Sequence, residues 1–413
     1  MAGKRIVITG LGIIASNGIG KAAFSEAIFA GVSGIKPVSL FDTSSLKVRT
    51  AGEVKDFSPQ DFLGPKGLRT LDRSTKLIAS AAKLALDDAR LEISEANSSD
   101  IGVSIGNTLG SVNSITEFDK EAMLEGPYYV NPALFPNTVI NSPASQVSIK
   151  FNIKGFNSTI STGFCASLDA ISYGVDLLGS GKAKIVLAGA VEELCIQTCF
   201  GFYKTGCLAG LRQDSLELSC PFDKRRNGMV LGEGSAVLVL ENLESALGRN
   251  AKIYAQVSGA GMGFDAYKTN EYNLRGDGLK RAMRMALENA GPEAQDIDYI
   301  SSAANSTIAA DLIETEAIKD VFGSKAGNAG VSSIKSMLGE CYSASGAIQA
   351  VTAALAIEKQ AIPPNINYQL KDERCDLDYV TNESRNCRVN NVLINAFGPS
   401  GCNSSLVISR FNG

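Results

Sequence analysis

One series of elements occurs twice in this chain, and that repetition restricts the fold more than any single motif. The stretch "KRIVITGLGIIAS" (4–16) reads as a buried strand ending among glycines, and "AKIYAQVSGAGMG" (251–263) is its counterpart. Each is followed by an amphipathic helix, an acidic linker and a further strand. In the first half these are "KLIASAAKLALDDARL" and "DIGVSIGN", with Leu77, Ala81, Leu84 and Leu91 near one helical face. In the second they are "GLKRAMRMALENAG" and "DIDYISSAAN", with Leu279, Met283, Ala286 and Ala290 on one face and Gly291 placed to end the helix. A helix–turn–strand unit, "CASLDAISYGVDLLGSGKAKIVLAGA", is matched by "SASGAIQAVTAALAIEKQ" and the later "NNVLINAFG". Three matched units predict two copies of one α/β half, residues 1–250 and 251–413, with sheets covered by helices on both sides.

Composition removes several classes of function. A length of 413 residues, 45% of them apolar and 20% charged, suits a soluble globular protein with one large or two medium domains. The net charge of −4 and the lack of a basic run give no reason to expect nucleic acid. The first apolar stretch is too short and too broken by glycine for a membrane span, and no signal-peptide cleavage pattern follows it. A cytoplasmic protein is expected. Nine cysteines form no CxxC pair, Cys195 and Cys199 being the closest, so they read as small buried hydrophobes and no metal is expected. The chain has no histidine, which removes Ser-His, Cys-His and His-metal chemistry from its own side chains. "TGLGIIA" resembles half of a dinucleotide fingerprint but lacks a clearly placed acidic partner, so no cofactor is expected.

Three further stretches carry a resemblance over nearly the whole chain. "PFDKRRNGMVLGEGSAVLVLE" (221–241), "VSSIKSMLGE" (331–340) and "NAFGPSGCNSSLV" (395–407) resemble signatures of the β-ketoacyl synthases of fatty-acid and type II polyketide synthesis. The resemblance implies a thiolase-like α/β fold, two duplicated halves in a five-layered αβαβα arrangement. It also implies a catalytic set of one Cys and two His. The thiol sits at a helix N-terminus, where the dipole favours thiolate, and the imidazoles assist decarboxylation and stabilise the oxyanion.

Laid without a gap on the family's nucleophile motif, "STGFCASLDAI" puts Phe164 in the cysteine column and Cys165 one place later. Around a helix the next residue points about 100° away, so Cys165 is not expected to substitute. The two histidine positions fall on Ala303, within "SSAANSTIAADLIE", and on Glu340; Asp311, Glu314 and Lys335 are retained. Lys335 is read first as a structural ion pair with Glu314 or another carboxylate. The swinging gate of active relatives corresponds to Phe397, Pro399 and Ser400, where proline fixes φ and removes an N–H.

The resemblance with these substitutions implies a noncatalytic subunit similar to a chain length factor, and no enzyme on its own. Its partners would be a catalytically competent ketosynthase in a heterodimer, acyl carrier protein reached through that complex, and the growing acyl chain, whose tunnel it shapes. "YYVNPALFPNTVINSPAS" (128–145) resembles the region that crosses the dimer interface, which makes Tyr129, Ala133, Leu134, Phe135 and Thr138 candidate tunnel residues, with ordinary core packing as the alternative. Phe at the nucleophile position, in place of the Gln usual in aromatic polyketide systems, points towards a divergent branch such as the aryl-polyene pathways. Two alternatives stay open: a stand-alone condensing enzyme that uses Cys165, and a solitary acyl-binding protein.

Overall fold

The computed structural model describes residues 5–413; Met1–Lys4 lie outside them, and with them the first residue, Lys4, of the opening stretch. Ten strands run through the main sheet: β1 (Ile6–Ala15), β2 (Ile101–Gly106), β3 (Asn157–Ile160), β4 (Ile185–Glu192), β5 (Gly234–Asn242), β6 (Ala255–Phe264), β7 (Tyr299–Ser301), β8 (Gly330–Ser332), β9 (Asn391–Phe397) and β10 (Cys402–Ser409). Their order is β8-β7-β9-β10-β6-β1-β5-β4-β2-β3, with a two-residue strand at Gly18–Ile19 beside β1. The order is symmetric about the β6–β1 pair. Outward from it, 1-5-4-2-3 on one side is answered by 6-10-9-7-8 on the other. The pairing sense matches as well: β1–β5 and β5–β4 are antiparallel and β4–β2 and β2–β3 parallel, as are their counterparts. The two five-stranded halves are joined by antiparallel pairing of Ile6, Val7 and Ile8 with Val257, Gln256 and Ala255.

The helices that cover this sheet and build the site are α1 (Arg73–Asp88), α2 (Val112–Glu125), α3 (Ser142–Phe151), α4 (Ala166–Gly179), α5 (Ile196–Thr205), α6 (Asp277–Ala290), α7 (Ile308–Phe322) and α8 (Ser345–Lys359). Helix α1 packs on β1, β5 and β4, with α3 beside it, while α6 packs on β6 and β10, with α7 beside it. Between the two half-sheets lie α4 and α8, which touch each other; α4 also reaches β2, β4 and β10, and α8 reaches β5 and β9. The result is a five-layered, thiolase-like α/β fold. Helix α8 is buried from Ser345 to Ile357 without a break, as a helix walled by sheets on two sides must be.

The paired glycines of β1 and β6 have a packing role. A β-carbon on Gly12 would stand 1.9 Å from Ala81 O of α1, and one on Gly261 would stand 2.1 Å from Ala282 O of α6. Glycine lets each outer helix lie directly on its strand, which explains the "TGLG" string without a nucleotide. On α1, Leu77 and Ala81 are buried and Leu84 is half-buried, but Leu91 lies past the helix, which ends at Asp88. On α6, Leu279, Met283 and Ala286 are buried, Ala290 is half-buried, and Gly291 ends the helix at φ 89°. No helix among the described residues is long and apolar enough to cross a membrane.

Candidate active site

Helix α4 is entered through a tight turn, Gly163–Cys165, in which Gly163 has φ +66°. The two neighbouring side chains of that turn go different ways. Cys165 is fully buried in the central core and its Sγ donates to Ala396 O at 3.1 Å. Burial first, then the Asp169 carboxylate, pushes its thiol well above the ordinary range. A thiol so placed is a protonated core group, despite the positive helix end beside it. Phe164 is also buried, but against aromatic rings. Its ring meets Tyr342 edge-on at 4.5 Å, and Tyr342 meets Phe202 of α5 at 5.5 Å. On the other side it lies on the backbone of Gly398.

Glu340 reaches this cluster through the backbone. Its Oε1 accepts from Tyr342 N at 3.1 Å and from Ser345 Oγ at 2.6 Å. Its Oε2 accepts from Lys335 Nζ at 2.7 Å and from Asn305 Nδ2 at 3.0 Å. Four donors occupy the four lone-pair directions of the carboxylate, which is only 1% exposed. Lys335, itself buried, also donates to Ala303 O at 2.9 Å. Its carboxylate partner is therefore Glu340 and not Glu314.

Ala303 brings only a methyl group; its backbone N–H donates to Glu314 Oε1 at 3.0 Å. Glu314 further accepts from Ser302 Oγ at 2.6 Å and Asn395 Nδ2 at 3.0 Å, and burial raises its pKa. Asp311, in the first turn of α7, accepts from the backbone N–H groups of Phe222, Asn305 and Ser306 at 2.8, 3.1 and 3.2 Å. Burial pushes it up to about 7 against the opposing pull of Arg226. Both acids thus tie the loop before α7 to its surroundings.

The gate stretch forms the turn between β9 and β10. Gly398 N donates to Cys402 O at 3.3 Å and Gly401 N to Gly398 O at 3.1 Å. Phe397 is buried and packs edge-on against Tyr272 at 5.8 Å; Pro399 is half-buried and Ser400 exposed. The structure therefore gathers Phe164, Ala303, Lys335 and Glu340 into one buried cluster linked through Tyr342, with Phe397 packed in the same core as Ala303 and with Asp311 and Glu314 holding the loop beside it. The five tunnel candidates lie elsewhere. Tyr129, Ala133 and Phe135 are exposed, and Leu134 and Thr138 are half-buried. They sit on the turn Pro132–Thr138 and the loop before it, and Phe135 packs on Phe118 of α2 at 6.0 Å. Core packing does not describe them. With Met123, Leu124 and Tyr128, which are 85%, 75% and 95% exposed, they form an apolar outer surface.

Tyr342, Phe202 and Tyr272 belong to the site and carry no mark in the sequence. Tyr342 stands two places after the "GE" of a recognisable stretch, but its importance comes from a left-handed backbone, φ +49°, that no local pattern announces.

Residues 3–246 match the family described as "Beta-ketoacyl synthase, N-terminal domain", and residues 254–369 match its "C-terminal domain". The chain is 38% identical over 411 residues to a 3-oxoacyl-[acyl-carrier-protein] synthase 2 of Coxiella burnetii, covering 99% of each. It is 37% identical over 409 residues to the protein of that name from Synechocystis, covering 99% of this chain and 98% of the other. Among solved structures, the ishigamide ketosynthase/chain length factor superposes with a TM-score of 0.92 at 33% identity, with full coverage of both chains. A type II polyketide ketosynthase, in complex with its acyl-carrier protein and bound to the hexaketide, gives 0.90 at 31% identity, covering 99% of this chain and 100% of that one. These end-to-end relatives carry the name of a synthase, and that corrects the expectation that the chain is no enzyme on its own. The absence of histidine is not enough to remove a chain from a set of enzymes it matches over its whole length.

Proposed function

Because this chain belongs to the β-ketoacyl synthase family, we propose that it works as the chain-length-factor-like member of a two-chain ketosynthase. In that role it shapes the tunnel into which an acyl or polyketide chain, or a polyene precursor, is extended. The partner is a ketosynthase carrying the cysteine and both histidines, and acyl carrier protein meets the pair. At the positions that resemblance assigns to those groups, this chain has Phe164, Ala303 and Glu340.

One observation carries the reading: the run of exposed large apolar side chains along 123–140, with Tyr128, Tyr129 and Phe135 turned outward, of the kind that marks a contact surface for another chain. It adjoins an open sheet edge. The turn Pro132–Thr138 packs on α3, α3 packs on β3, and β3 ends the sheet with its outer side unpaired among the described residues. Such an edge invites a strand from another chain. The likeness to a ketosynthase/chain length factor structure supports the same assignment.

The synthase names of the relatives favour a second reading, in which this chain condenses acyl groups by itself. One experiment separates the two. The chain is purified alone and after co-expression with a Cys/His/His ketosynthase, and malonyl turnover and product length are measured. The first reading expects a 1:1 complex whose product length shifts when Phe135→Ala widens the surface. Turnover by the isolated chain, with no complex formed, would leave the second reading in possession.

A further inference from the structure

The geometry points to Tyr342 as a hydrogen-bond donor to the carbonyl oxygen of an acyl thioester arriving at the Gly163–Cys165 turn. This rests on the second of the two readings above, in which the chain itself takes acyl thioesters, and it gives the chain a direct hold on the substrate.

The backbone of Tyr342 is the first sign. A bulky residue at φ +49° is an outlier that persists only where its surroundings over-determine it, and such residues gather at ligand-binding positions. Here the surroundings are Glu340, whose Oε1 takes the Tyr342 N–H while Lys335, Asn305 and Ser345 hold the carboxylate still. Glu340 is thus a positioning residue, with no lone pair left for proton transfer.

The ring is the second sign. It is clamped between Phe164 and Phe202, so the phenol has one direction to point. That direction is the Gly163 turn: a β-carbon built on Gly163 would lie 3.5 Å from Tyr342 Oη and 3.3 Å from Ser400 Oγ. The hydroxyl has no hydrogen-bond partner among the described residues. Burial pushes its pKa up to about 12, so it keeps its proton across the working range.

The third sign is that several backbone donors at these turns are already engaged, while the Ser400 hydroxyl, the other side-chain donor near Gly163, is exposed to water and the Tyr342 phenol is not. Gly163 N donates to Thr108 Oγ1, Cys165 N to Thr162 O, Gly398 N to Cys402 O and Gly401 N to Gly398 O. Pro399 has no N–H to give. A carbonyl entering between these two turns loses its water hydrogen bonds and needs a replacement, and the phenol of Tyr342 is free to supply it.

The test isolates that carbonyl. The full-length chain is titrated calorimetrically with hexanoyl-pantetheine and with the matching hexyl thioether, which lacks only the carbonyl oxygen. Wild type is expected to prefer the thioester about two- to tenfold, the range for one net hydrogen bond. Tyr342→Phe should bring that ratio close to one and leave thioether affinity unchanged. Equal ratios in the two proteins, no preference in wild type, or binding of neither probe at millimolar concentration would each overturn the assignment. Malonyl turnover by the isolated chain is scored separately, so a failed carbonyl preference alongside turnover rejects this inference alone.

Discussion

A β-carbon added to Gly398 would stand 2.1 Å from Phe164 Cδ2, far inside van der Waals contact. Gly398→Ala must therefore displace the ring, and through it Tyr342, at a cost of about 1–3 kcal/mol for overpacking. The same change made in a Phe164→Ala background has nothing to collide with, so denaturant midpoints of the four proteins should be strongly non-additive. Additive midpoints would refute the contact. Lys335 gives a second test at this scale. Its buried pair with Glu340 resembles cases in which removal of one partner costs about 3–5 kcal/mol, because the other charge is left without compensation. Lys335→Met should destabilise by that order in urea melts, and Lys335→Met with Glu340→Leu by clearly less. The register taken from the family resemblance put Phe164 and Cys165 at a helix start, and the turn Gly163–Cys165 does lead into α4, with the two side chains going different ways. The Lys335–Glu340 pair and the clamp on Tyr342 were not legible. They depend on residues 164, 202, 305 and 340 meeting in space, and periodicity in one stretch says nothing about that.

At the scale of elements, the end of β4 concentrates acid where three helices begin. Glu192 accepts from Leu109 N at 3.2 Å and Ser343 Oγ at 2.5 Å, and Glu193 accepts from Ser74 N at 3.1 Å. Asp72 caps α1, Ser111 stands before α2 and Cys195 before α5. The positive helix ends make carboxylates tolerable there. Burial dominates all the same, lifting Glu192 from 4.5 to about 7 and Glu193, with Asp72 nearby, from 4.5 to about 8. A raised acid binds its proton more tightly when folded, so its stabilising share is complete below 4.5 and is lost as pH climbs through the folded value. Melting temperature should fall between about pH 5 and 8.5, and Glu193→Gln should flatten the upper part of that fall. A rise over the same window would contradict the burial. The strands and helices themselves were largely legible, since alternating β and α runs with glycine stops announce their own lengths. The exception is instructive: Leu91 fits the α1 face by count, yet the helix stops at Asp88, and Arg90 turns left-handed at φ +50°.

For the whole molecule, two surfaces matter: the outer apolar patch and the internal seam. Tyr128→Asp and Phe135→Asp place charge on the patch without touching the core, so the isolated chain should melt unchanged while its capture by a ketosynthase drops at least tenfold. Equal capture would detach the patch from pairing. The seam makes a stronger claim. Helices α4 and α8 belong to different halves of the sequence but touch each other, and each leans on strands of the other half: α4 on β10, α8 on β5. Expressed alone, residues 1–250 would keep β1, β5 and α4 but lose the α8 layer above them. Residues 251–413 would leave α8, buried from Ser345 to Ile357, facing water on one side. Apolar area on that scale outweighs the stability that a domain of this size holds in reserve. Each fragment alone should be aggregated or lack a cooperative thermal transition, whereas co-expression should yield a stoichiometric complex with the near-UV circular dichroism of the intact chain. A cooperative melt from the 1–250 fragment by itself would show that the duplicated half is a domain in its own right, and that the shared helical layer is an accessory to the fold and not its keel.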